Sequence, residues 1–187
     1  LERGEKLTQR QVLNLTKMQA SKIGVNGVRM ILLRKKGSSV FLKKVLLESR
    51  NEKVLGEVIS YFVEKANTGD IRSKLFLNRC ASEKFNKNEI LRKLVIEKFL
   101  KLARDRSSFG LRGLLVGVRD SVSVNRHWAF LGLWKLAEKG DFRVLSGLLE
   151  GVKDSVKNNR TLALQGLRAL ADKGHVEAKR ALEELKK

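Results

Sequence analysis

The stretch GVRDSVSVNRHWAFLGLWKLAEKGD, which begins at Gly117, is followed by GVKDSVKNNRTLALQGLRALADKGH, which begins at Gly151, and 14 of these 25 positions are identical. Ordinary composition would give about two matches by chance. The segment is therefore a duplication with a 34-residue period, and such a period restricts the chain to folds in which one small unit stacks on copies of itself. The frame continues backwards: in LRKLVIEKFLKLARDRSSFGLRGLLVG, Arg92, Leu102, Ala103 and Leu114 stand where Arg126, Leu136, Ala137 and Leu148 recur. It loosens in ANTGDIRSKLFL, where Ala66, Gly69, Asp70 and Arg72 echo Ala137, Gly140, Asp141 and Arg143. KKGSSVFLKKVLL, around Gly37, is a fainter fifth echo.

Each unit reads as two antiparallel helices. Gly37, Gly69, Gly140 and Gly174 follow Leu- and Ala-rich stretches, where a residue free to adopt positive φ can end a helix. Ser38, Asp70 and Asp141 come next as N-caps for a second, shorter helix, with His175 the weaker fourth. That helix runs as FRVLSGLLEGV or VEAKRALEEL and ends near Asp120 or Asp154. A polar turn then leads to Asn-Arg and the long helix, whose apolar stripe is Ala129, Leu133, Leu136 and Ala137, repeated as Ala163, Leu167, Leu170 and Ala171. Gly132 and Gly166 on that stripe mark close approach of a neighbouring helix. The chain has no proline, where average usage would place about nine. Proline breaks helix interiors, so its absence fits a chain that is helical nearly throughout.

The unit resembles the HEAT repeat family and its bacterial and archaeal HEAT-like relatives. The resemblance rests on an Asp in the turn, an Arg six residues later, and then Ala, Leu and Leu at core spacing. Asp120 with Arg126 and Asp154 with Arg160 keep this pattern, and Asn86 with Arg92 departs in its first member. It implies an all-α fold, a right-handed α-α superhelix (a HEAT-like solenoid) of about four to five helix pairs. In this division residues 37–82 hold degenerate repeats, followed by repeats at 83–116, 117–150 and 151–187. In the family the Asp and Arg form a ladder between neighbouring repeats, which implies a structural role for them here. The proline many such repeats carry is missing. The period also resembles that of tetratricopeptide repeats, but the spacing from Gly132 to Gly140 and the missing tyrosines and proline argue against them. The polar EELKK at the carboxyl end reads as a capping helix, with the array ending there.

The formal net charge is +20, from 40 Lys and Arg against 20 Asp and Glu. A field of that size attracts polyanions, whether nucleic acid, acidic protein or anionic lipid, and says nothing about fold. Residues 1–50 carry 12 Lys and Arg against 3 Asp and Glu, so the amino-terminal quarter is the most basic. Residues 1–36 read as basic helices that either join the array or cap it. Cys80 is the single cysteine, which excludes an intramolecular disulfide and a cysteine-based zinc site and fits an intracellular home. No apolar run is long enough to span a membrane and no leader is recognisable, although the chain opens without Met and an upstream segment could have been removed.

In a repeat array the positions that vary between units supply the binding surface. On the long helices these are Lys93, Glu97, Leu100 and Arg104, then His127, Leu131, Trp134 and Glu138, then Thr161, Gln165, Arg168 and Asp172. Across units Leu100, Trp134 and Arg168 form one row. Cations beside an aromatic plane are what sequence-tolerant nucleic-acid grooves use. The leading expectation is thus a non-enzymatic protein that binds DNA or RNA through phosphates. The expected contacts are Lys17, Lys22, Arg29, Arg34, Lys35, Lys36, Lys43 and Lys44 near the amino end, with Lys93, Arg104, Trp134, Lys135 and Arg168 on the long helices. Against this stand the plain readings that Trp128 packs on a neighbouring helix, that Arg92, Arg126 and Arg160 are ladder residues, and that the lysines are a solvated surface.

An acidic protein partner is the alternative, with the row's leucines and Trp134 as anchors. No cofactor, metal or membrane partner is expected, and the oligomeric state stays open. The two histidines, His127 and His175, are the residue type suited to general-base work near neutrality, and neither has a companion at a catalytic or metal-binding spacing. His127 reads as a surface residue and His175 as a helix-start residue. HEAT-like alkylpurine DNA glycosylases, with a basic concave face, tryptophans and a catalytic Asp, supply a third reading. It would cast Trp134 with Glu138 or Asp172, though no motif matches residue by residue.

Overall fold

The computed structural model describes residues 24–26, 28, 39–104 and 107–186, the side chains of Ser39, Val40 and Arg104 excepted. Lys17, Lys22, Arg29, Arg34, Lys35, Lys36, Gly37 and Ser38 lie outside the described residues, and with them most of the 1–36 segment.

The fold is all-α, with no strand among the described residues. The helices are α1 (Ser39–Glu48), α2 (Glu52–Asn67), α3 (Ile71–Ala81), α4 (Glu89–Arg104), α5 (Ser108–Gly117), α6 (Ser123–Glu138), α7 (Leu145–Gly151), α8 (Lys157–Asp172) and α9 (Val176–Glu184). Short and long helices alternate, and each of the four long ones, α2, α4, α6 and α8, has 16 residues. The short helix expected from Phe142 onwards is split, a 3₁₀ turn at Phe142–Val144 running into α7. Asp141 accepts from the Arg143 amide and draws the first turn tight, as helix entries often are.

Three long helices end alike. Gly69, Gly140 and Gly174 have φ of 99°, 77° and 89°. In each case the glycine amide donates to the carbonyl three residues back and the next amide to the carbonyl five residues before it, as in Gly140 to Ala137 (2.9 Å) and Asp141 to Leu136 (3.0 Å). The residue after each glycine caps the following helix: Asp70 accepts from the amides of Arg72 and Ser73, Asp141 from Arg143, and His175 Nδ1 from Ala178 at 3.4 Å. The two aspartate caps contribute about 1 kcal/mol each.

The chain forms two compact units, Leu1–Lys74 and Leu75–Lys187. In the first, α1 packs on α2 and buries Leu42, Val45 and Leu46 with Val54, Leu55, Val58, Ile59 and Phe62. In the second, α6 packs between α4 and α8, and α5, α7 and α9 pack against these long helices. The expected stripe is buried: Ala129, Leu133, Leu136, Ala137, Ala163, Leu167, Leu170 and Ala171, together with Phe99 and Phe130. Cys80 is buried in the same core and takes part in no disulfide. At Gly132 and Gly166 a short helix presses close on a long one. A Cβ on Gly132 would stand 2.6 Å from Leu114 Cδ1, and one on Gly166 2.6 Å from Leu148 Cδ2.

Candidate functional site

Repeated arginines join successive turns of the second unit. Arg92 Nε donates to Asp120 Oδ2 at 2.6 Å and Nη2 to Asp120 Oδ1 at 3.1 Å, and Arg126 makes the same two bonds to Asp154 at 2.6 and 3.1 Å. Within its own unit each arginine uses Nη1 on the carbonyl six residues earlier: Asn86, Asp120 and, for Arg160, Asp154, all at 2.9 Å. The carboxylate partner of Arg126 is therefore Asp154 of the following unit, while Asp120 in its own turn offers a backbone carbonyl. Asp120 and Asp154 also accept the amides of Val122 (2.9 Å) and Val156 (2.8 Å), which fixes the entry into α6 and α8.

Burial works to raise the carboxyl of Asp154, but hydrogen bonds from Arg126, the Val156 amide and Asn159 prevail and hold it below the usual aspartate value. Arg126 is raised in turn, chiefly by its hydrogen bonds to Asp154. The Arg92 and Asp120 side chains are 3% and 0% exposed, so this pair is sealed from any ligand.

The proposed long-helix row divides. Lys93 and Trp134 are half-buried on α4 and α6, Lys135 is half-buried, and Arg168 is exposed on α8. Arg104 is the last residue of α4, and its side chain lies outside the described residues. Leu100 does not belong to the row's open surface: it is 6% exposed, because α6 lies over it and its Cδ1 is 3.2 Å from where a Gly132 Cβ would stand. Lys135 Nζ sits 3.9 Å from the centre of the Trp134 ring and 3.0 Å from Glu138 Oε2, so one face of the indole is already taken by a cation. Trp128 is half-buried, its ring edge-on to His127 at 6.3 Å between centroids. In the first unit Lys44 is exposed and 3.8 Å from Glu48, and Lys43 is half-buried.

Two concavities differ in charge. A groove of about 720 Å³ in the second unit is lined by Glu83, Lys84, Lys87, Arg119, Asp120 and Glu150 among apolar neighbours. Two of its cations pair with carboxylates of the same groove, while Asp120 is held by Arg92 from outside it. Arg119 lies 3.0 Å from Glu150, which raises the guanidinium, and Lys87 lies 4.0 Å from Glu83, whose carboxyl is lowered by its bonds from Ser121.

A notch of about 500 Å³ in the first unit is lined by Lys43, Lys65 and Arg72 with Tyr61, Phe62, Thr68, Asp70 and Ser73, three cations against one carboxylate. Lys65 Nζ is 5.8 Å from the Tyr61 ring centre. The Ser73 hydroxyl donates to Asp70 and, more than any other interaction, holds its carboxyl below the usual value.

Of this notch, the residues expected from the sequence to meet a ligand include only Lys43. Arg72 stands in the sequence as an echo of Arg143, and neither Lys65 nor Tyr61 is singled out there. The signal that could have found them is the Tyr61–Lys65 spacing of one helical turn, followed by Gly-Asp-Ile-Arg, which brings Arg72 back over α2.

Among the described residues no group of three or more His, Cys, Asp or Glu is placed to hold a metal ion, and no helix is long and apolar enough to cross a membrane. No family model, no curated protein and no solved structure significantly matches this chain.

Proposed function

We propose that the chain is a non-enzymatic α-solenoid of HEAT-like helix pairs that binds nucleic acid, DNA or RNA, through phosphate contacts on a basic face. The observation that carries this reading is the +20 net charge on a helical scaffold. A field of that strength draws polyanions and gives sequence-tolerant binding. The regular alternation of short and 16-residue helices, with arginine pairs reaching the following unit, supports the stacked-repeat part. Lys93, Arg104, Trp134, Lys135 and Arg168 are the contacts on the long helices, and the amino-terminal lysines and arginines add to the basic charge.

The test is a fluorescence titration of the purified chain against random-sequence duplex DNA, single-stranded DNA and RNA at two salt concentrations. Affinity that falls several-fold or more with salt is the expected result, and the preferred polymer names the substrate class. No binding to any of the three at low salt overturns the reading.

An acidic protein partner is the second reading, and one observation favours it at the row itself. Leu131 and Trp134 stand there half-buried near Lys135 and Arg168, an apolar and aromatic anchor with cations beside it of the kind protein hot spots use. Salt would then affect binding less. Base excision draws no support, since Glu138 is exposed and engaged by Lys135 and Asp172 is exposed as well.

A further inference from the structure

The Gly-Asp-x-Arg sequence occurs twice, at 69–72 and 140–143, and the two arginines meet different fates. Arg143 folds back on its own cap, with Nε and Nη2 at 2.8 and 2.7 Å from the Asp141 carboxylate. Its charge is thereby satisfied locally. At the other copy the residue after the arginine is Ser73 in place of Val144, and the serine hydroxyl takes the Asp70 carboxylate instead. Two backbone amides, of Arg72 (3.2 Å) and Ser73 (3.3 Å), occupy it further. The Arg72 guanidinium, exposed, is left with no hydrogen bond or ion pair among the described residues, and it lines the same notch as Lys65 and Lys43.

We propose that this notch, formed by α1, α2 and the start of α3, is a phosphate-binding site in which Arg72 and Lys65 are the charged ligands and the Tyr61 hydroxyl an additional donor. The planar guanidinium offers two parallel N–H donors to two phosphate oxygens, and Lys65 supplies a mobile point charge. About 500 Å³ exceeds what one phosphate needs and lies within the range of small-ligand sites. The phosphate taken is a backbone phosphodiester of the nucleic acid, and this deepens and rests on the nucleic-acid reading above. A free phosphorylated compound offers the same chemistry. The larger groove of the second unit is the weaker candidate, because its one arginine, Arg119, already holds Glu150 and Lys87 lies beside Glu83.

The experiment uses the full chain, wild type and Lys65→Gln/Arg72→Gln, with Lys179→Gln/Arg180→Gln on exposed α9 positions as the charge-matched control and a thermal melt to check folding. The affinity for a single-stranded oligonucleotide is measured across salt concentrations. Amide shifts at Tyr61, Lys65 and Arg72 are followed by NMR with inorganic pyrophosphate as probe. The expected result is a slope of log K against log salt that is shallower by about 0.7 in the notch variant, the value for one phosphate no longer neutralised on a single strand, with a smaller change in the control and pyrophosphate shifts confined to the notch. Pyrophosphate shifts without any oligonucleotide binding would remove the nucleic-acid reading and assign the site to a free phosphate compound. The same assignment follows if the oligonucleotide binds with an unchanged slope while pyrophosphate still shifts the notch. An unchanged slope with no pyrophosphate shift at these residues overturns the proposal.

Discussion

Arg126 grips Asp154, 28 residues ahead, with Nε 2.6 Å from Oδ2, while its Nη1 holds the carbonyls of Asp120 and Ser121 in its own turn at 2.9 and 3.0 Å. One guanidinium thus sets the distance between two successive turns. A planar fork with five donors can do this, and a lysine ammonium cannot.

The lowered Asp154 makes this pair sensitive to acid. Its folded value lies below its unfolded one, so the contribution is complete above the ordinary aspartate range and is lost as pH falls towards the lowered value. Urea unfolding at a series of pH values is expected to show Asp154→Asn less stable than wild type at neutrality. The difference should shrink between about pH 5 and pH 2, and an equal gap at every pH would refute the assignment.

Asp120→Ala should be costlier than Asp154→Ala. It strands Arg92, whose side chain is 3% exposed, whereas Arg126 is 14% exposed and recovers water. Removing one partner of a sealed pair costs about 3–5 kcal/mol. Chemical denaturation of the two variants side by side checks the order.

Gly110 and Gly56 should respond oppositely to alanine. A Cβ at Gly110 would stand 2.5 Å from the Ala103 nitrogen and 2.9 Å from the Phe99 carbonyl oxygen, backbone atoms that cannot rotate aside, and Gly110→Ala is expected to destabilise by about 1–3 kcal/mol. Nothing lies within 4 Å of a Cβ at Gly56, inside α2, and Gly56→Ala should stabilise by up to about 1 kcal/mol. Melting temperatures moving in the same direction would contradict the packing described.

Trp134→Ala separates the two readings of the long-helix row. If a base stacks on the indole face not taken by Lys135, single-strand affinity falls by about 1–3 kcal/mol while the salt slope is unchanged. If the row docks a protein, nucleic-acid affinity stays within about twofold of wild type. Titration of the variant at two salt concentrations distinguishes them.

The alternation of helices was legible because turn chemistry is local. Positive φ at Gly69, Gly140 and Gly174, and the caps that follow, depend on a few adjacent residues and a hydrogen-bond pattern closed within six positions. Close approach at Gly132 and Gly166 was legible too, since the missing side chain recurs at the repeat spacing. Exposure along the row was not, because it depends on which helix lies alongside. Leu100, Trp134 and Arg168 share one register yet are buried, half-buried and exposed. The notch stayed hidden for a related reason. Whether Arg72 is engaged or available turns on Ser73 taking a carboxylate, and matching one repeat to another treats that residue as merely variable.

The paired arginines also govern how the second unit responds to force. Arg92 and Arg126 each tie one turn to the next, so tension applied along the succession of units passes through two couplings in series, one sealed and one partly wetted. Water competes for the wetted one. Of the two couplings, the one between the turns that carry Asp120 and Asp154 is thus the more readily exchanged for water, and the one that Arg92 makes is the stiffer.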